Sequence, residues 1–508
     1  MTTLFHNTGD LSSNYKSVHD LSHEYKTTFD MGELIPTLCI EANPGDVFKV
    51  GNQSIVRFQP LVAPVLHEVN ISFHYFFVPY RILDENWESF IVGWNKDDFT
   101  QEWLDPLPRW MPTNHAIGSL WDYLRMGRTD VIPETADCCP IDYPRRAYNL
   151  IYNEYYRDEN LQSKVSLANE DILLSNWEKD YFTAALPFQQ KGIAPSLPIS
   201  GSTNFLGNIL TYNTVGSTNY SSSFVWQESL QTTALQNNNV GTPGWPSALQ
   251  IRDWFNNNEI DASSFDISDL RLAVQLQKWQ ERSARGGQRY TEVLRQHHGK
   301  SPRDERLQRP EYFGGSKAPV IFSEVLQTSE TSQTPQANMA GHGLSVSDSY
   351  CGRYSVVEYG LIMAICRVLP RTTYQQGINR MWLRRTKEDF FWKEFVNLSE
   401  QAIENCEIYV SGDKDRDIDI FGYQSRYDEL RYVPSGITGN MRNMFSYWHL
   451  GRIFATPPYL NGDFVTCNPD KRIFAVQDED GLIVSIANLI KKFSSLPMFA
   501  DPGYMDHH

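Results

Sequence analysis

Four aspartates alternate in Asp413-Lys414-Asp415-Arg416-Asp417-Ile418-Asp419, a spacing that could offer carboxylate oxygens to a calcium ion. Such a loop needs a glycine at its sharp turn and a closing bidentate glutamate. Ile418 and Gln424 stand at those two places, and Lys414 and Arg416 neutralise the carboxylates, so the segment reads as a solvated charged turn. Gly299-Lys300-Ser301 has the tail of a phosphate-binding loop, but Leu294 stands where the first glycine must let the backbone curl its amides around a phosphate. His297-His298 and His507-His508 are adjacent pairs. Their rings diverge on a strand and sit about 100° apart on a helix, which suits neither a shared metal ion nor the nicking site of a replication initiator. The chain has no Gly-x-Ser-x-Gly elbow and no suggestive Cys and His pairing. Neither catalytic residues, a resident metal nor a cofactor are expected.

One stretch could touch phosphates. Arg367, Arg371, Arg380, Arg384, Arg385 and Lys387 are interleaved with Tyr374 and Trp382. Pairing with the chain's own acidic excess at contacts between subunits would use the same residues, and spacing does not choose between the two.

The elements that position these residues are mostly strands. In Val65 to Phe77, apolar Val65, Val69, Ile71, Phe73, Tyr75 and Phe77 alternate with Glu68, Asn70, Ser72 and His74, which predicts a half-buried strand ended by Pro79. Leu361 to Leu369 is apolar on both faces apart from Arg367 and stops at Pro370, as a strand inside a sandwich would. Val47 to Phe58, Glu407 to Ser411, Arg472 to Gln477 and Leu482 to Ile490 are further strand candidates. Helices are few. Ser268 could cap one in which Leu272, Leu276 and Trp279 share a face before Gly286-Gly287 ends it, and Lys387 to Leu398 is a shorter candidate.

The 508 residues are 41% hydrophobic and 13% aromatic, enough for a large core. A net charge of -16 argues against a protein that neutralises nucleic acid by itself. Seven cysteines without a ladder pattern fit a reducing compartment, and the absence of an export signal or a long apolar run points to a soluble protein that is not membrane-inserted. Between Pro198 and Asp266 the composition shifts to Asn, Ser, Thr and Gly, broken by Trp226, Trp245, Trp254 and Phe255, and residues 200–265 read as an inserted surface lobe on a single domain of 1–508. Long connections carrying much of the chain's 13 Trp and 26 Tyr would leave apolar area open in a lone molecule, which implies obligate assembly.

Several segments carry a family likeness. Asp269 to Gly315 contains Asp-Leu-Arg-Leu-Ala-Val-Gln-Leu-Gln-Lys-Trp-Gln-Glu-Arg-Ser-Ala-Arg-Gly-Gly-Gln-Arg-Tyr and later Arg-Leu-Gln-Arg-Pro-Glu-Tyr-Phe-Gly-Gly. With His23 to Pro36, Phe76 to Pro79, Asp180 to Gly192 and Asp501 to Tyr504, it resembles the major capsid protein of microviruses, most closely the gokushovirus branch.

The resemblance implies a mainly β fold: an eight-stranded antiparallel viral jelly roll with long insertions. It further implies a T=1 icosahedral shell of about sixty copies around circular single-stranded DNA, assembled in the host bacterial cytoplasm. Expected partners are a small basic DNA-binding protein, minor capsid or pilot and scaffolding proteins, and a host surface receptor. Residues 200–265 would form protrusions near the three-fold axes, with Trp226, Trp245, Trp254 and Phe255 as host-contact candidates. A secreted carbohydrate-binding or carbohydrate-active β-sandwich is the alternative, because aromatic loops on such a scaffold also suit sugar stacking. It would need paired carboxylates across a cleft and usually an export signal.

Overall fold

The computed structural model describes residues 17–92, 107–131, 138–195, 267–287, 289–326, 339–398 and 400–498. Its strands are β1 (Ser17–Asp20), β2 (His23–Phe29), β3 (Ile35–Ala42), β4 (Val47–Phe58), β5 (Val69–Pro79), β6 (Glu311–Pro319), β7 (Ile321–Leu326), β8 (Met339–Ser355), β9 (Gly360–Pro370), β10 (Gln401–Glu404), β11 (Ile420–Gln424) and β12 (Leu482–Ser494). Eight of them make the jelly roll, in two sheets of order β2-β12-β4-β8 and β3-β9-β5-β6, with every pair antiparallel. Successive strands mostly change sheet, so neighbours in space are distant in sequence. That is the Greek-key pattern of the fold. β1 and β7 extend the first sheet, and β10 pairs with β11 in a separate ribbon.

Phe48, Val50, Val56 and Phe58 of β4 and Leu482, Val484 and Ile486 of β12 meet Ile71, Phe73, Tyr75 and Phe77 of β5 and Ile362, Ala364 and Cys366 of β9 in one buried cluster. The two sheets differ on their other faces. β4 and β12 alternate buried with exposed or part-exposed residues, as a sheet with a free outer side does. β5 and β9 are buried almost throughout, because Phe76, Val78, Leu361, Met363 and Ile365 meet a second layer built from Trp110, Leu120, Trp121, Tyr148 and Ile151. β5 is therefore dry on both faces rather than half-buried, and it starts at Val69 rather than Val65. The alternation in its sequence is offset by the connection after it, which folds back as helix Tyr143–Ile151 and covers the outer side.

Two further predicted strands are absent. Around Glu407 the Glu407 carboxylate accepts from Glu404 N–H (2.9 Å), closing a 3-10 turn over Asn405–Glu407, and only Tyr409 makes an isolated bridge, to Gln376. In Arg472 to Gln477, the Asp470 carboxylate caps Arg472 N–H at 2.6 Å and only Phe474 bridges, to Leu61. The predicted helix Lys387 to Leu398 is two 3-10 turns, Lys387–Asp389 and Lys393–Phe395, because Asp389 takes the N–H groups of Arg385 and Thr386 into a tight turn. The longer helix forms, over Ile267–Arg285, but Ser268 lies within it rather than capping it.

The barrel closes where β6 approaches β8. A side-chain carbon at Gly314 would sit 1.9 Å from Cys351 O, so only glycine allows that approach. Overall, the chain divides into two compact units, 1–191 with 281–508, and 192–280; of the second, residues 192–195 and 267–280 are described.

Candidate assembly site

The connection after β9 holds most of the basic residues singled out from sequence, and it gives them carboxylate partners. Arg380 donates to Glu407 at 2.7 Å and to Ala402 O at 3.1 Å. Arg384 donates to Glu429 (3.1 Å), and Arg385 grips both oxygens of Glu404 at 2.9 and 2.6 Å. Tyr181 and Gln401 donate to the same glutamates, to Glu407 at 3.0 Å and Glu429 at 2.7 Å. The Glu407 side chain is 1% exposed. Burial pushes its carboxyl above the ordinary range, and Arg380 opposes that shift. The β10–β11 ribbon frames this network, with Glu404 ending β10 and Ile403 buried beneath it among Phe182, Tyr374 and Phe421.

The remaining basic residues have partners of their own. Arg371 pairs with Glu68 at 2.9 Å beside β5, and Lys387 pairs with Glu388 at the surface (3.6 Å). Arg367, on β9, donates to Ser175 Oγ at 2.8 Å and lies over the Tyr156 ring at 5.5 Å. Tyr374 donates to Asp180 at 2.7 Å in the interior. The structure thus unites Arg380, Arg384 and Arg385, gives Arg367 and Arg371 other partners, and leaves Lys387, two residues beyond Arg385, with Glu388 at the surface. Sequence reading missed the partners Glu404, Glu407 and Glu429. Their only signal was an acidic excess spread over the chain, since pairing across 19 to 45 residues leaves no local pattern.

The same connection also leaves large apolar side chains open to water, here called its rim. Trp382 is 80% exposed, Phe390 59%, Phe391 52% and Trp392 50%, while Val433, Met444 and Tyr459 stand open on later parts of the same connection. Large rings facing water are the kind of surface that a partner would cover. Helix Ile267–Arg285 likewise leaves Leu272, Leu276 and Trp279 exposed. Trp226, Trp245, Trp254 and Phe255 lie outside the described residues.

Motifs set aside on sequence grounds have structural roles. Gly299 adopts φ 67° and caps the C-terminal end of helix Tyr290–His298, so Gly299-Lys300-Ser301 follows a helix instead of opening one. Asp413 caps the short helix Lys414–Ile418, and Asp417 takes both the N–H and the hydroxyl of Ser411 at 2.7 Å. Cys39, Cys351, Cys366, Cys406 and Cys467 are free thiols. Among the described residues, no helix is long and apolar enough to cross a membrane.

Comparison with known proteins gives a consistent family. The family described as "Capsid protein (F protein)" matches residues 11–504. "Capsid protein VP1" of Chlamydia phage 1 is 32% identical over 96% of this chain and 95% of its own length. The proteins of the same name from Bdellovibrio phage phiMH2K and Spiroplasma virus 4 are 34% and 30% identical, over 89% and 86% of this chain and 88% and 85% of theirs.

Proposed function

Because this chain belongs to the phage F-type capsid protein family, we propose that about sixty copies close into a T=1 icosahedral shell around a circular single-stranded DNA genome. It is a major capsid protein of the virion, structural rather than enzymatic, and the carbohydrate-active alternative finds no support in these relatives.

The observation that carries the assembly reading is the contrast between a fully dry jelly-roll core and the open aromatic rim of the 380–460 connection. Sister subunits covering that rim gain the burial of several large rings, each worth about 1.5–3 kcal/mol when fully taken from water. Since Arg380, Arg384 and Arg385 are already neutralised, they act as a rigid support for the intersubunit rim rather than as a phosphate-binding track.

A net charge of -16 per copy multiplied over a shell repels a polyanion. A small basic protein or bound cations therefore accompany the DNA, and minor capsid or pilot and scaffolding proteins join assembly in the host cytoplasm. Residues 200–265 form the lobe near the three-fold axes, with Trp226, Trp245, Trp254 and Phe255 toward a host receptor.

Expression of the chain with and without its co-encoded partners, followed by negative-stain microscopy, tests the reading. Isometric particles are expected, and a persistent lone chain at high concentration would contradict it. Particles containing full-length genome but no basic peptide would contradict the division of charge.

A further inference from the structure

One histidine and one arginine tie the turns at residues 441–451 to the chain ahead of β12. Arg472 donates from Nε to Ser446 O at 2.9 Å and from Nη2 to His449 O and Gly451 O at 3.0 and 2.7 Å. His449 is 1% exposed, and Leu450 after it packs into the main core cluster. The ring nitrogens of His449 have fixed roles. Gly451 N–H lies 3.0 Å from Nδ1, and Met441 O lies 2.7 Å from Nε2. A backbone N–H can only donate and a carbonyl can only accept, so Nε2 carries the hydrogen and Nδ1 is bare. Arg472 Nη2 also reaches Nδ1, at 3.3 Å, so the bare nitrogen faces two donors.

A proton on Nδ1 would set N–H against N–H and place a second positive charge beside the guanidinium. Among the described residues the ring has no carboxylate partner to offset it: Glu68 is taken by Arg371 at 2.9 Å and Asp470 by Arg472 at 3.0 Å. The nearby His67 imidazole, if charged, would repel a charged His449, while Arg442 and Arg452 turn to Ile437 O (3.1 Å) and Phe464 O (2.7 Å). Burial holds the His449 imidazole below the ordinary histidine range, with Arg472 adding to the shift and Met441 O opposing it. We infer that His449 is an acid-sensitive latch: taking up a proton at Nδ1 breaks its bonds to Gly451 and Arg472 and loosens residues 441–451 from residues 470–472. The loosened segment carries Met444 and Phe445, 67% and 39% exposed, so the latch sets the shape of part of the rim. It acts within a single subunit, whether or not copies assemble.

Hydrogen–deuterium exchange of the full chain as dissociated subunits, with rates corrected for their intrinsic pH dependence, tests this. From about pH 6.5, the ordinary histidine value, down to about pH 5, opening of peptides within 441–452 should rise by up to about tenfold per pH unit, because the loosened state binds one more proton. Peptides of β12 should keep their protection over the same range. His67→Gln should retain the step and His449→Gln should abolish it. Where His449→Gln already leaves the segment open at about pH 7, retention or loss of the step in His67→Gln decides which histidine is the sensor. Constant protection of 441–452 across the range, opening of β12 in parallel with it, loss of the step in His67→Gln, or its survival in His449→Gln would overturn the latch.

Discussion

The β5–β9 pair and the connection from Thr372 to Leu460 use aromatic residues in opposite ways. In the strands, Phe73, Phe76 and Phe77 are fully buried between two apolar layers, and polar partners are few. In the connection, buried glutamates are held by arginines while Trp382, Phe390, Phe391 and Trp392 face outward. The first region stabilises a single subunit. The second holds its charges in ion pairs and leaves its rings open, and on the proposed reading that separates folding from assembly within one chain.

This contrast can be broken most strongly at the core. Phe77→Ala should cost about 3–5 kcal/mol, measured by denaturant unfolding, because a void there has no water to fill it. A loss as small as that of a surface change would show that the strands do not carry the subunit's stability. Next in size is Arg380→Met, which leaves Glu407 buried with only the Tyr181 hydroxyl and the Glu404 N–H as neutral partners. About 3 kcal/mol should be lost, whereas Arg380→Met combined with Glu407→Leu should recover most of it. Failure of the double variant to recover would mean that the network stabilises the connection by more than mutual neutralisation.

A smaller effect sharpens the comparison through pH. Burial pushes His67 and His74 down to about 4, and His74 also hydrogen-bonds the Tyr156 hydroxyl at 2.7 Å. Between about 6.5 and 4 the unfolded chain binds more protons at these sites than the folded one, so their contribution to stability falls as pH falls through that window. His74→Gln should flatten the slope of Tm against pH there, while Arg385→Gln in the exposed connection should leave the slope unchanged. Glu33, raised to about 7 by burial, works in the opposite sense, adding stability as pH falls from about 7 toward 4.5. The smallest effect on the isolated subunit is expected at the rim. Trp382→Ala should change unfolding by no more than about 0.5 kcal/mol, yet it should sharply lower particle yield.

What could be read in the sequence follows the same division. β4, β9 and β12 announced themselves because alternation, or an apolar run ended by Pro370, is local information, although β12 continues past Ile490 to Ser494. β5 was found but its burial was misjudged, since the layer over its outer face comes from helix Tyr143–Ile151, more than sixty residues later. In the connection, Glu407 to Ser411 and Lys387 to Leu398 have strand-like or helix-like composition, but carboxylate caps from Glu407 and Asp389 close tight turns instead. Side-chain to backbone bonds of this kind depend on single residues and carry no period. The basic residues were visible, but their glutamate partners were not. The family itself was legible, because the long residue run Asp269 to Gly315 resembles it where periodicity is silent, and the family match spans residues 11–504.

Hydroxyl-radical footprinting of residues 380–398, comparing intact particles with dissociated subunits, tests most directly whether sister copies cover the open rings. Labelling of Trp382, Phe390, Phe391 and Trp392 should fall severalfold on assembly while the core rings Phe73 and Phe77 stay unlabelled in both states. Equal labelling of the four rim residues in particles and free subunits would contradict the account.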